Sequence, residues 1–264
     1  MQHLGLATTL MFNRAAGSVT RAGRYTVVRT PDAPDFHFGN LLVLDDAPSG
    51  ADRARLEADF DRLVGSLPGV RHRTFLWPVH DNRRVEITDF TDAGYAFDEQ
   101  VVLVAGAAEL AAPSRIALPV GIRPFRDAAD WDDWEALNIA HNADDHEPAA
   151  FRRYLAHQRA FYEALGRAGR GDWWGAFLDG RQVAHLGLSF EGGAGRFQSV
   201  FTVPEVRNRG ICRALVHHAA RIGFARAGRL VMVADEHYHA ARIYESLGFA
   251  PCERMASLCR WPRG

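Results

Sequence analysis

The residue types best suited to chemistry lie in one run: Phe201-Thr202-Val203-Pro204-Glu205-Val206-Arg207-Asn208-Arg209-Gly210-Ile211-Cys212-Arg213-Ala214. A β-branched and aromatic strand enters a Pro-Glu turn. A short basic loop with Gly210 comes next, and then an apolar-periodic helix opens. The first N–H groups of a helix have no intrahelical partner, and the helix dipole is positive at that end. A strand tip that turns into such a helix is suited to hold a diphosphate. The run therefore points to a phosphate-bearing cofactor.

Composition narrows the rest. The chain has 264 residues, room for two domains of about 100–150 residues or one large one. A hydrophobic fraction of 47% and a charged fraction of 24% are those of a globular protein. The net charge of −1 gives no electrostatic case for nucleic acid or an anionic membrane as partner. No apolar run reaches the roughly 18–20 residues needed to span a bilayer. Met1 to Arg14 lacks the pattern of a leader, so the expected location is cytoplasmic. Cys212, Cys252 and Cys259 match no zinc spacing, and their odd number argues against a disulfide framework. The histidine pairs His217-His218 and His237-x-His239 do not make a chelating face, so no metal is expected. Every one of the 31 basic residues is arginine, which excludes lysine Schiff-base or lysine nucleophile chemistry.

The elements that must position the loop are legible in the C-terminal half. Strands are expected at residues 120–125, 173–178, 182–190, 196–203, 230–234 and 252–260. Helices are expected at 129–142, 148–168, 210–227 and 239–247. Asp179-Gly180 marks a hairpin, and the apolar strand at 230–234 reads as central and parallel. Trp173 and Trp174 point to opposite faces of their strand. Core packing accounts for one, and a domain interface would cover the other. Residues 105–118, rich in small side chains and containing Pro113, read as a linker or an edge excursion. The N-terminal half has strands at 25–30, 38–45 and 71–77 and an amphipathic helix at 51–66 carrying Leu56, Phe60, Leu63 and Val64.

The two halves echo each other. Phe90-Thr91-Asp92-Ala93-Gly94-Tyr95, with a strand after it, aligns with Tyr244-Glu245-Ser246-Leu247-Gly248-Phe249 and its strand, at a spacing of 154 residues. Glu99 falls opposite Glu253 in the same alignment. This is a weak internal repeat, and it suggests two copies of one fold. The first half has no Gly-rich phosphate loop.

Two motifs in order, Val203-Pro204-Glu205-x-Arg207-x-Arg209-Gly210-Ile211-Cys212 and Ala240-x-x-x-Tyr244-Glu245-x-x-Gly248-Phe249, resemble those of the GCN5-related N-acetyltransferases (GNAT). Cys212 stands where the family has Gly or Ala, and His237 where it has Asn. The resemblance covers residues 120–260 well and reaches the first 105 residues only through the repeat. It implies a tandem GNAT protein of α/β class with a mixed α+β sheet. The two GNAT-like domains are each a mostly antiparallel mixed sheet flanked by helices. Residues 1–112 would be the degenerate domain and residues 113–264 the catalytic one.

On that resemblance the co-substrate is acetyl-CoA and the acceptor an amine of a small molecule or peptide, in a monomer or homodimer. The diphosphate falls on the amides from Asn208 to Ala214. The cofactor residues are Phe201, Thr202, Val203, Arg207, Asn208, Arg209, Gly210, Ile211, Cys212, Arg213, Ala214 and His237. The pantetheine arm lies along the strand edge at 201–203. Tyr244 is the general acid, and a backbone N–H near the end of the 200–203 strand polarises the thioester carbonyl. The base is open among Glu205, Asp235, Glu236, His185 and the cluster His141-Asn142-Ala143-Asp144-Asp145-His146-Glu147. In the family the connection that holds this cluster lines the acceptor site; read alone, it is also a solvated loop with a helix cap. A rival expectation is a catalytically silent acyl-CoA-binding or sensor module of the same fold, favoured by Cys212 and His237.

Overall fold

The computed structural model describes residues 3–80, 86–113, 119–142, 147–235 and 240–261. They divide into two compact units. One holds residues 3–102, Asp235 and residues 252–261; the other holds residues 103–234 and 240–251.

In chain order the first unit begins with α1 (Leu4–Ala16), β1 (Ser18–Ala22), β2 (Tyr25–Arg29) and β3 (Leu41–Leu44). It continues with α2 (Arg53–Leu63), β4 (Arg73–Val79), α3 (Thr88–Asp92) and β5 (Ala96–Ala105). Neither α1 nor β1 is among the elements expected from sequence. The reason for α1 is its buried face, Gly5, Thr8, Met11 and Asn13, in which Met11 is the one large apolar side chain, so that no apolar stripe can be read. Polar contacts hold the helix instead. The Gly5 N–H donates to Glu253 at 3.0 Å, and Asn13 Nδ2 donates to the Phe38 carbonyl at 2.8 Å. The strand expected at 38–45 is shorter, because His37–Gly39 forms a 3-10 turn.

The second unit contains β6 (Gly121–Pro124), α4 (Ala128–Asn142), α5 (Pro148–Arg167), β7 (Gly171–Leu178), β8 (Arg181–Glu191) and β9 (Ala194–Thr202). Next come α6 (Ile211–Gly223), β10 (Arg229–Asp235) and α7 (Ala240–Glu245), and β11 (Ala250–Arg260) closes the chain. Its helices and strands lie where the periodicity puts them. The exception is α6, which stops at Gly223, four residues short of the expected end.

The sheet of the second unit runs β10-β9-β8-β7-β6. Every neighbouring pair is antiparallel except β9 and β10, which are parallel. The first unit runs β1-β2-β3-β4-β11-β5. There β3 and β4 are the parallel pair, while β1–β2, β2–β3 and β4–β11 are antiparallel. The α/β class and the mostly antiparallel mixed pairing are thus as expected, but the described strands form one eleven-stranded sheet and not two separate ones. The chain's last strand, however, sits between β4 and β5. It contributes Ala256 and Leu258 to a core built on Phe60, Phe75, Trp77 and Phe90.

Both tryptophans of β7 are buried inside the second unit, one on each face. Trp173 stacks on Tyr162 of α5, with ring centroids 4.0 Å apart and planes at 24°. Trp174 meets His218 of α6 edge-on at 5.2 Å. Helices thus cover both faces of this strand, and no domain interface is needed for Trp174. The 105–118 segment is the edge excursion where it is described. Ala111 N–H donates to the Leu247 carbonyl at 3.0 Å, so the stretch docks on the Gly248 turn.

Candidate active site

The site is built where β9 parts from β10. The two strands pair only through Ala194–Arg229, Gly195–Leu230 and Arg196–Val231. Beyond Arg196, β9 continues for six residues to Thr202 without a paired partner in β10. Its other edge carries a bulge. His185 pairs with Phe201 and Gly187 with Gln198, so Ser199 and Val200 together oppose Leu186 alone. Ser199 has φ +49°, a left-handed conformation that is uncommon for a non-glycine residue. A bulge bends its strand and re-aims the residues on its far side. Here those residues are Phe201 and Thr202.

After β9 comes a 3-10 turn, Pro204–Val206, in which the Val206 and Arg207 amides bond back to Val203 and Pro204. Asn208 has φ +61° and Gly210 φ +85°, with Arg209 between them. Such alternation of backbone hand curls successive N–H groups toward one side, the geometry of an anion-binding nest. Gly210 is the N-cap of α6 and brings no side-chain cap; the first main-chain bond of the helix is Ala214 N–H to Gly210 O at 3.0 Å. The N–H groups of Ile211, Cys212 and Arg213 are therefore the ones a helix start leaves over. Arg207, Asn208 and Arg209 are exposed, and Gly210 and Ile211 are buried beneath them.

The neighbouring side chains are engaged in ways that leave the loop open. Arg207 Nε donates to the Thr202 carbonyl at 3.0 Å and braces the turn. Burial pushes the pKa of the Cys212 thiol up to about 11, and the thiol meets the Thr202 side chain; it is a small neutral group, not a thiolate that would repel a bound anion. Arg213 Nε reaches Ser246 Oγ at 2.8 Å and ties the first turn of α6 to the end of α7. Two residues before Ser246 is Tyr244, 5% exposed. Phe201, Thr202 and residues 207–214 thus lie on one continuous strand, loop and helix start, and the Arg213–Ser246 bond brings the end of α7, the helix that carries Tyr244, to that helix start. Val203 differs: its N–H donates to the Val183 carbonyl at 2.9 Å, and its own carbonyl receives Val206, so both main-chain groups are used within the fold. His237 lies outside the described residues.

The face of the sheet under α4 and α5 carries a second set of groups. His185 stacks on Phe201 (5.4 Å, 25°), lies edge-on to Trp134 (6.1 Å), and has Nε2 3.4 Å from Asn138 Nδ2. Its burial lowers its pKa to about 3, with a smaller opposing contribution from the Ser199 backbone. At neutral pH it is an uncharged imidazole too weak to take a proton from an ammonium. His141, in the last turn of α4, lies 5.6 Å from the Phe201 ring. Glu147 is consumed as the cap of α5, accepting from Ala149 and Ala150 N–H at 2.9 and 2.7 Å, which lowers its pKa. Among the base candidates Glu205 and Asp235 are exposed, while residues 143–146 and Glu236 lie outside the described residues. Sequence reasoning missed Tyr162 and Ser199. They meet through their hydroxyls at 3.3 Å, and no local pattern announces a contact across 37 positions.

The first unit repeats the frame with other contents. There β3 leads through a turn into α2 and on to β4, parallel to β3. The turn before α2 is closed by a capping box: Ser49 N–H and Oγ both bond to Asp52 Oδ2, at 3.0 and 2.8 Å. These contacts and Arg55 bring Asp52 down to about 2. Asp45, Asp46 and Asp52 line the pocket at this spot together with Arg24 and Arg55. Further along, Gly94 (φ +85°) matches Gly248 (φ +92°). Tyr95 N–H bonds to Phe90 O as Phe249 N–H bonds to Tyr244 O. The counterpart of Tyr244 is therefore Phe90, fully buried and without a hydroxyl.

Comparison with known proteins agrees with this frame. Residues 169–251 match the family model described as acetyltransferase (GNAT) domain. No curated protein matches the chain. Among solved structures, a functionally unknown conserved protein from Staphylococcus epidermidis is similar with a TM-score of 0.75 at 13% identity, over 93% of this chain and 94% of that one. A GCN5-related N-acetyltransferase from Kribbella flavida is similar with a TM-score of 0.67 at 16% identity, over 100% and 98%. A tandem GNAT protein from the clavulanic acid biosynthesis pathway is similar with a TM-score of 0.53 at 14% identity, over 85% and 76%. The chain carries a GNAT acetyltransferase domain at residues 169–251, within a fold shared by GCN5-related N-acetyltransferases.

Proposed function

We propose that the protein is an acetyl-CoA-dependent N-acetyltransferase acting on an amine. In this reading residues 113–264 carry the reaction, and residues 1–112 are a degenerate copy without a co-substrate site. The observation that carries it is the uncapped start of α6 at Gly210, curled by left-handed Asn208 and Gly210, beside a strand edge that β10 leaves open. That cradle fits a diphosphate with a peptide-like arm; the turn before α2, closed by the Ser49–Asp52 capping box and without left-handed residues, does not.

Acetyl-CoA supplies an activated acetyl group. The amides from Asn208 to Ala214 hold its diphosphate, with Arg207, Arg209 and Arg213 around them. Phe201 and Thr202 offer the strand edge for the arm. A main-chain N–H at Val200 to Thr202 polarises the carbonyl, since Val203 N–H is committed to Val183. The amine enters from the side of α4, past His141 and Phe201. Its nitrogen bonds to the carbonyl carbon as the carbon–sulfur bond breaks, and Tyr244 gives its hydroxyl proton to the departing sulfur. The amine's own proton leaves to solvent through an exposed carboxylate or water.

Titration calorimetry with acetyl-CoA, and then thiol release over a panel of amines, tests the proposal. Binding with release on at least one amine is expected. No binding overturns it, and binding without release on any amine replaces it with the silent acyl-CoA-binding module. Gly210→Glu places an anion in the cradle and is expected to abolish binding in a folded protein. Retained affinity would remove the diphosphate assignment.

A further inference from the structure

Something must keep β9 bulged at Ser199. A serine at φ +49° is strained against ordinary strand backbone, so its surroundings must impose the conformation. Antiparallel pairing alone would favour regular register through residues 197–201.

The surroundings form a short stack. Gly187, opposite Gln198 at one end of the bulge, has no side chain; a Cβ there would sit 2.2 Å from Trp173 Cζ2. The Trp173 indole thus lies flat against β8 at the bulge. Tyr162 is layered on that indole at 4.0 Å, 3% exposed, with Trp134 edge-on at 6.1 Å. Its ring is held between them, and its hydroxyl ends 3.3 Å from Ser199 Oγ, with the Gln198 side chain as a second hydrogen-bond partner. At the other end of the bulge the His185 ring covers Phe201. Two aromatic side chains therefore clamp the flanks, and one hydroxyl reaches the strained residue itself.

We propose that the Tyr162 hydroxyl latches Ser199 and holds the β9 bulge in the shape that turns the amides of residues 200–202 toward the thioester carbonyl. Tyr162 is thereby a positioning residue for transfer, acting through Ser199 and not touching the reacting atoms. The inference rests on the acetyl-transfer reading. It is independent of the diphosphate loop, which Tyr162 does not contact in the bonds described.

Tyr162→Phe keeps the ring on Trp173 and removes only the hydroxyl. The probe is acetyl-CoA labelled with carbon-13 at the thioester carbonyl, read by NMR and calorimetry. The variant is expected to bind acetyl-CoA within about twofold of the wild type. The displacement of the carbonyl resonance on binding should fall by half or more, and turnover on any amine the wild type acetylates should fall about tenfold with little change in KM. Ser199→Ala removes the same contact from the other side and should reproduce these changes, which also covers the case of a poorly folded Tyr162→Phe. The double variant should be no worse than Tyr162→Phe alone. An unchanged carbonyl resonance in both single variants, or additive losses in the double, overturns the latch and leaves the acetyl-transfer reading standing. A wild type that binds no acetyl-CoA overturns both.

Discussion

At the scale of single residues, the site separates groups that bind from groups that titrate. Tyr244 is buried in the helix that Arg213 ties to the cradle. Tyr244→Phe is expected to cut turnover at least about tenfold, with acetyl-CoA affinity unchanged by calorimetry; unchanged turnover would remove it as the proton donor. His185 has a different consequence. Its folded pKa is depressed to about 3, while an unfolded histidine titrates near 6.5. Between these values the unfolded chain holds a proton that the folded chain lacks. Stability therefore rises with pH across this window and is lost as pH falls, by about 1.4 kcal/mol per pH unit at most from this group. His72, also depressed by burial, acts in the same direction. Melting temperature should drop between pH 7 and pH 5, and His185→Gln should flatten that drop. An equal slope in the variant would show that the imidazole is not held neutral.

At the scale of elements, legibility in the sequence depends on how local the signal is. The strand–loop–helix around Gly210 is contiguous, each part has its own signature, and the structure assembles it as expected apart from Val203. The Gly94 and Gly248 turns were legible because glycine, aromatic and strand stand directly in sequence. In both, the left-handed glycine ends the helix. Gly248 is also sterically confined, since a Cβ there would lie 1.8 Å from the Glu109 carbonyl oxygen. Gly248→Ala should therefore lower the melting temperature by several degrees, whereas Gly192→Ala, which meets nothing, should cost less. Hidden features were those made by distance. α1 buries Gly5 and Thr8, and its Gly5 N–H finds its acceptor 248 positions away on Glu253. The Ser199 bulge has no glycine to mark it, and its partner comes from another helix. The membership of β11 in the first unit was equally invisible, because apolar alternation names a strand and not its neighbours.

At the scale of the whole molecule, the two halves share an architecture and differ in the groups a co-substrate would meet. The 3-10 turn that leads into α2 is closed by the Ser49–Asp52 capping box, while Phe90 stands in the place of Tyr244. One acetyl-CoA per chain is expected in calorimetry at saturating ligand. A stoichiometry of two would overturn the view of residues 1–112 as a degenerate copy. Asp45→Arg, in the pocket before α2, should leave that stoichiometry at one, because the capping box still closes the 3-10 turn that leads into the helix.

The place of β11 has a consequence in time. Ribosomes deliver a chain from its N-terminus at about 5–20 residues per second, so residues 250–260 emerge roughly seven to thirty seconds after β5. Throughout that interval the nascent first unit lacks the strand that pairs with β4 and supplies Ala256 and Leu258 to its core. The earliest-made part of this protein is therefore the last to finish folding. Stalled polypeptides ending at residue 251 should be cut by added protease within residues 3–102, and release of the complete chain should protect the same sites.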